Sequence, residues 1–437
     1  MKINVEEYIS KVKKIDTVKI NGKVIRVVGL TIESEGPIVQ LGEHCYIKTF
    51  NGNDRVDAEV VGFDEDKILL MPLGELKGIG HGCEVVATGR SLSIPVGENM
   101  LGRIVDGLGK PMDNNGQIMV EKHMPLDTSA PNPLTRKRIV EPLSVGVRAI
   151  DGVLTCGKGQ RVGIFAGSGV GKSTLLGMIS RNSSADINVI GLIGERGREV
   201  REFIERDLGE EGLKKSVVVV VTSDQPALVR IKGAMTATAI AEYFRDKGMN
   251  VMLMMDSLTR FAMAQREVGL AIGEPPATRG YTPSVFSMLP RLLERTGNSD
   301  KGTITGLYTV LVDGDDMNDP IADAVRGILD GHIVLSRNIA AKNHFPAIDI
   351  LVSASRLITE VATKEHVMNA RKVREVLANY NEIEDLINIG AYKEGSNVRA
   401  DYAISKIEEV NSFLKQEIME KSDLEGAVTS LENIFSN

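Results

Sequence analysis

Val162-Gly163-Ile164-Phe165-Ala166-Gly167-Ser168-Gly169-Val170-Gly171-Lys172-Ser173-Thr174-Leu175-Leu176 is the stretch from which the rest of the chain can be read. An apolar run passes into a glycine-rich octet of the form Ala/Gly, four variable residues, Gly, Lys, Ser/Thr, and an apolar helical pattern follows, giving a strand–loop–helix unit. Glycines stand where the backbone must approach an anion, so that successive N–H groups point at phosphate oxygens with no side chain in the way. The N-terminus of the following helix adds a field that favours the same charge. Gly167, Ser168, Gly169, Val170, Gly171, Lys172, Ser173 and Thr174 are therefore the candidate ATP-binding residues. Lys172 is placed to reach the β- and γ-phosphates and the Ser173 hydroxyl to ligate Mg²⁺.

Outward from this loop, further apolar runs at 189–193, 217–221, 251–255, 307–312 and 348–352 alternate with helical segments. Five consecutive valines at 217–221 show no polar alternation. Such strands are covered on both faces, as in a parallel sheet flanked by helices. Ligands of these sheets collect at the carboxyl ends of the strands. Asp256 ends one run and is the candidate metal-side acid, its ordinary alternative being a helix cap. Glu195 follows the run at 189–193 and is the candidate group that orients or deprotonates an attacking water, the alternative being a solvated acid at a helix start.

The chain before the loop reads differently. Short β-branched runs at 23–28, 38–41, 58–61, 68–71 and 84–88 are separated by Gly, Asn and Asp turns, which predicts a small antiparallel barrel within 18–120. Ahead of it Val5, Tyr8, Ile9, Val12 and Ile15 recur at helical steps, predicting an amphipathic helix over 1–17 that either packs on the barrel or docks a partner. Three prolines in 125–133 make a connector. An ATPase domain then runs over 121–359, and helical spacing at Val367, Ala370, Val373, Val376 and Leu377 opens a helical domain over 360–437. The fold class is α/β, with a barrel before the nucleotide core and helices after it.

Bulk properties bound the function. With 52 basic and 59 acidic residues the net charge is −7, and 18 Tyr plus Phe with no Trp in 437 residues leave few stacking platforms, so no nucleic-acid partner is expected. Cys45, Cys83 and Cys156 show neither paired nor metal-ligand spacing, as in a reducing cytoplasm. No apolar run is long enough to span a bilayer, so any membrane contact is expected to be peripheral.

Longer motifs carry a family likeness. The segments 163–176, 194–199 (Gly-Glu-Arg-Gly-Arg-Glu) and 255–262 (Met-Asp-Ser-Leu-Thr-Arg-Phe-Ala) resemble catalytic subunits of the rotary ATPases. The segments 280–286, 291–297 and 319–337 resemble in particular the ATPases of bacterial type III protein export, and 95–106 extends the likeness towards the barrel. The resemblance implies a RecA-like core in a homohexamer, with nucleotide at each interface. Lys172 and Ser173 match the phosphate and Mg²⁺ contacts, Glu195 the catalytic base, Asp256 the metal-side acid, and Arg196 and Arg260 arginines near the phosphates. Arg356 matches the arginine that a neighbour inserts toward the γ-phosphate; without the likeness it reads as a surface arginine. Phe345 falls where relatives hold a ring against adenine, although an aromatic there also suits a plain core, and Ile418 and Leu424 are weak candidates for its partners.

The same likeness implies ATP hydrolysis that drives export of flagellar proteins, at the inner face of the cytoplasmic membrane. Implied partners are a peripheral-stalk-like regulator on the N-terminal helix, a central coiled-coil stalk, a membrane export gate and chaperone–cargo complexes. An injectisome ATPase and a catalytic subunit of a rotary proton or sodium ATPase are the alternatives. Ala166 and Ser173, where ATP-synthesising relatives usually carry Gly and Thr, suit the export branch, and Glu195 argues against a non-catalytic subunit, which carries Gln.

Overall fold

The computed structural model describes residues 20–52, 54–312, 314 and 316–436. The amphipathic helix expected over 1–17 lies outside the described residues.

Six strands, Gly22–Val28, Thr31–Glu35, Glu43–Lys48, Arg55–Asp64, Lys67–Pro72 and Glu84–Ser91, close into an antiparallel barrel in the order first, second, fifth, fourth, third, sixth. Period-two burial drives them: in Glu43–Lys48, Cys45 and Ile47 point inward while their neighbours do not. Val24, Ile32, Val60, Leu70 and Val85 complete the barrel core. The run 38–41 is not a strand; Ile38 and Leu41 are exposed, and Pro37 lacks the N–H a central ladder needs.

The barrel strands end at Ser91, short of the expected 120. Ser93–Val96 pairs with Lys122–Pro125, and Ile104–Asp106 joins the central sheet beside Ser216–Thr222. The short run Ile104-Val105-Asp106 between turns reads equally well as a barrel strand; what decides is that Val105, in register with Val219, is fully buried there.

The central sheet has nine strands. From one edge they run Ala354–Ser355, Gly331–Leu335, Arg161–Ala166, Thr303–Leu311, Asn250–Asp256, Ile187–Glu195, Ser216–Thr222 and Ile104–Asp106, with Gly297–Asn298 set antiparallel on Thr303–Leu311. Apart from that pair and the antiparallel Ala354–Ser355 edge, the ladder is parallel. The continuous apolar runs are buried on both faces, as expected for strands with helices above and below.

A second strand expectation fails in this part of the chain. The run 348–352 is a turn with a single bridge from Ile348 to Leu335. Asp349 Oδ1 accepts from the N–H groups of Leu351 at 3.1 Å and Val352 at 3.3 Å, a local turn that outcompetes the β-propensity of Ile-Leu-Val. The strand in its place is Gly331–Leu335. After the sheet come the helices Lys364–Asn388, Val398–Leu414 and Leu424–Phe435, and their inner faces, including Val373, Val376, Val410, Phe413 and Leu431, join the core beneath the sheet.

Candidate functional site

The phosphate loop leaves the carboxyl end of Arg161–Ala166, a strand held between Gly331–Leu335 and Thr303–Leu311. Gly169 (φ +80°) and Gly171 (φ +92°) both sit in the left-handed region, where a side chain would be strained. Val170 between them is buried in the core and pins the loop from below. Gly171 caps the helix Lys172–Asn182, and no side chain bonds its first turn, so those N–H groups face outward as an anion site. Ser168, Gly169 and Ser173 are exposed, Thr174 half-buried and Gly167 buried.

Two carboxylates converge on Lys172. Asn250–Asp256 sets Asp256 at its end, and Asp256 Oδ1 accepts a 2.6 Å bond from Thr309 Oγ1 and an ion-pair contact from Lys172 Nζ. Glu195 comes from the adjacent strand Ile187–Glu195, where the register slips between Ile193 and Glu195. Such an irregularity re-aims a side chain. Gly194 (φ +71°) makes it possible, because a β-carbon there would come within 2.9 Å of Arg260 Cβ. Glu195 Oε1 lies 3.8 Å from Lys172 Nζ and is buried without a hydrogen-bond partner. Arg260 Nε, in the helix Leu258–Ala271 that follows Asp256, is likewise buried and unpartnered. Two orphaned polar atoms in one place call for an explanation, and an incoming polar ligand supplies it.

The protonation pattern follows from this packing. Burial disfavours a charged Lys172, but the carboxylates of Asp256 and Glu195 outweigh that and hold its ammonium above the usual range. For Glu195, burial comes first and the negative charge of Asp256 second, and together they push its carboxyl up to about 7. The Lys172 ammonium opposes this, and Glu199 adds to the rise. A base poised near neutrality is what proton abstraction at physiological pH requires.

Arg196 and Arg356 are not gathered here. Arg196 is 75% exposed in its side chain and pairs with Glu199 at 3.5 Å. Arg356 lies at the other end of the sheet: Ser355 pairs with Gly331, whereas Leu335 pairs with Ala166 at the loop. The four residue steps between amount to roughly 13 Å of strand. The exposed guanidinium of Arg356 rests on the Arg326 carbonyl at 3.2 Å.

Phe345, 43% exposed, is brought to the loop, its Cδ1 4.0 Å from where a Gly171 β-carbon would stand. The helical-region residue that meets it is Gln416, whose N–H donates to the Phe345 carbonyl at 3.0 Å. Ile418 is half exposed and gives its carbonyl to Arg181, and Leu424 donates its N–H to Ser144. Thr309 and Gln416 escape sequence reading because each acts on a residue far along the chain, with no local motif to mark it.

Comparison with known proteins places these features. Residues 146–355 match the ATP synthase alpha/beta family, nucleotide-binding domain; residues 24–89 match its beta-barrel domain; residues 362–433 match the T3SS EscN ATPase C-terminal domain. The chain is 58% identical over 435 residues to the flagellum-specific ATP synthase of Bacillus subtilis (strain 168), covering 99% of each. It is 52% identical over 413 residues to the type 3 secretion system ATPase of Xanthomonas euvesicatoria, covering 94% of this chain and 93% of the relative. Among solved structures, the assembled ATPase EscN from the enteropathogenic E. coli type III secretion system superposes with a TM-score of 0.90 at 50% identity, over 94% of this chain and 99% of the other. EscN in complex with its central stalk EscO gives 0.88 at 49% identity, over 94% and 99%.

Proposed function

The chain belongs to the ATP synthase alpha/beta family, among its type III export ATPases, and from that premise we propose that it hydrolyses Mg·ATP at the carboxyl edge of its sheet to drive export of flagellar proteins. The observation that carries the reading is the convergence of Lys172, Asp256 and the unpartnered Glu195 Oε1 on a helix N-terminus that no side chain caps.

In this reading the first-turn N–H groups and Lys172 hold the phosphates, and Lys172 exchanges Asp256 for the incoming anion. Asp256 and the Ser173 hydroxyl are the residues that would hold Mg²⁺; both are oxygen donors, suited to a hard cation that shares its shell with phosphate and water. When bound, the ion neutralises charge developing on the phosphoryl oxygens. Glu195 Oε1 accepts from the attacking water and aims it at the γ-phosphate. Arg260, its Nε unpaired on the far side of Gly194, is free to turn to the same oxygens. Phe345 provides an apolar face for adenine, and Arg196 swings in from solvent once phosphate is present.

Arg356 stands too far from its own loop to act there and serves a neighbour's site instead, so the working unit is a ring, and a homohexamer is the form proposed here. The structures of assembled EscN and of EscN with its central stalk EscO support assembly and a central-stalk partner, for which a coiled coil is the form proposed. A regulator on the N-terminal segment, an export gate at the inner membrane face and chaperone–cargo complexes complete the proposal; among the described residues no helix is long and apolar enough to cross a membrane. The flagellar relative at 58% identity supports the flagellar role proposed here, with the injectisome role, whose relative is 52% identical, as the alternative.

The test is Glu195→Gln, which removes the base but keeps size and hydrogen-bonding capacity. It is expected to retain ATP while losing turnover, measured by filtration of bound radiolabelled nucleotide beside phosphate release. Full turnover by this variant would refute the assignment of the base.

A further inference from the structure

Arg356 ends a short path whose geometry is fixed from an unexpected direction. The turn at 349–353 leads directly into Ala354–Ser355 and then Arg356. Its outward carbonyls are nearly all claimed. Arg374, on the long helix Lys364–Asn388, donates from Nη1 to the Ile350 carbonyl at 2.6 Å and from Nη2 to the Ser353 carbonyl at 2.9 Å. Between these, the Val352 carbonyl lies 2.8 Å from His332 Nε2 and accepts its proton. From inside, Ser353 Oγ accepts from the Val334 N–H at 2.9 Å, and Asp349 caps the turn.

One guanidinium therefore clamps the turn at two points, the Ile350 and Ser353 carbonyls. A planar fork can do this; a single ammonium cannot span two carbonyls in fixed geometry. Half-buried and turned to carbonyl acceptors, Arg374 is poorly placed as a surface charge and well placed as a brace. The next residues downstream are themselves held, with Arg356 N–H donating to the Asp330 carbonyl at 3.0 Å and its guanidinium resting on the Arg326 carbonyl. What aims Arg356 is thus backbone, and the side chain of the C-terminal helical region that holds that backbone is Arg374.

We propose that Arg374 is the positioning residue for Arg356, gripping the Ile350 and Ser353 carbonyls so that the turn delivers Arg356 to the γ-phosphate in the neighbouring subunit. The inference rests on the trans role of Arg356 proposed above. Its consequence is that the placement of the helix Lys364–Asn388 in one chain governs catalysis in the next, without touching that chain's own phosphate loop.

The test uses the full chain in its assembled form. Arg374→Ala is expected to lower kcat about ten- to hundredfold with KM within about twofold of wild type, because a misplacement of an ångström at a reacting centre costs that much. Arg374→Lys is expected to recover only part of the rate. The discriminating readout is mixing. Arg374→Ala protomers are assembled with Glu195→Gln protomers, so that about a quarter of interfaces in a random ring unite an intact base with an intact arginine; Arg356→Ala mixed with Glu195→Gln is the control.

The proposal expects both mixtures to regain activity that no single variant shows. If the control regains activity and the Arg374→Ala mixture does not, Arg374 acts within its own chain and the inference is overturned. If the control also stays inactive, the trans role of Arg356 falls and the inference with it. Should Arg374→Ala not yield folded protein by circular dichroism, Arg374→Gln, which keeps the stem and can reach one carbonyl, replaces it in the mixture under the same two outcomes. Wild-type kcat in both variants would overturn the positioning role outright.

Discussion

At its carboxyl edge the central sheet gathers Lys172, Asp256 and Glu195 into a half-buried cluster of opposed charges, whereas at its amino edge it carries Arg356 outward with Arg326, Arg374 and His332 nearby. The first edge holds its charges in balance and leaves two polar atoms without partners. The second offers exposed cationic charge resting on carbonyls. In the proposed reaction neither edge suffices: the first brings its own cations to the phosphates but no arginine from across an interface, and the second carries that arginine but has no phosphate loop. On the proposed reading each is the half the other needs, supplied by a heterologous head-to-tail contact that closes into a ring.

The comparison breaks most severely at Lys172. Lys172→Ala leaves Asp256 and Glu195 as two facing acids with no cation between them, and ATP binding, followed by equilibrium titration with a fluorescent analogue, is expected to be lost. Arg356→Ala, at the other edge, should keep ATP affinity within a few-fold and lower kcat by about a thousandfold, as removal of a trans arginine does. If Arg356→Ala weakens binding as much as Lys172→Ala, the two edges are not separate in role.

A smaller and sharper effect concerns pH. Burial and Asp256 raise the Glu195 carboxyl to about 7, so the base is protonated and idle below that pH and available above it. In the free enzyme kcat/KM should therefore rise about tenfold per pH unit below 7 and level off above. Glu195→Gln should lack that limb, and Arg356→Ala should keep it, since the guanidinium stays charged throughout. The smallest effect expected is at Phe345. Phe345→Ala should raise KM about two- to tenfold, the worth of one aromatic contact, with kcat unchanged; an unchanged KM would remove the ring from the adenine pocket.

How much of this was legible in sequence divides along the same line. The carboxyl edge is local: a strand, a glycine turn, a helix, and acids ending two apolar runs, so Lys172, Glu195 and Asp256 could be named from spacing alone. The amino edge is not. Arg356 stands out only by family likeness, Gly331–Leu335 lacks a marked strand pattern, and 348–352 reads as a strand because its Ile-Leu-Val composition hides the turn that Asp349 makes with its own backbone. Thr309, Gln416 and Arg374 act on residues distant in the chain, and only the fold brings the pairs together. The barrel could be recognised from alternation, but not its end at Ser91, because Ile104–Asp106 carries the same local signal and is claimed by a different sheet.

The most direct measurement is ATP turnover in rings assembled from equal amounts of Glu195→Gln and Arg356→Ala chains. If each site is built from the carboxyl edge of one chain and the amino edge of the next, the mixture hydrolyses ATP at a rate well above either variant alone. A mixture as inactive as its components would contradict the shared site and return Arg356 to the surface of its own chain.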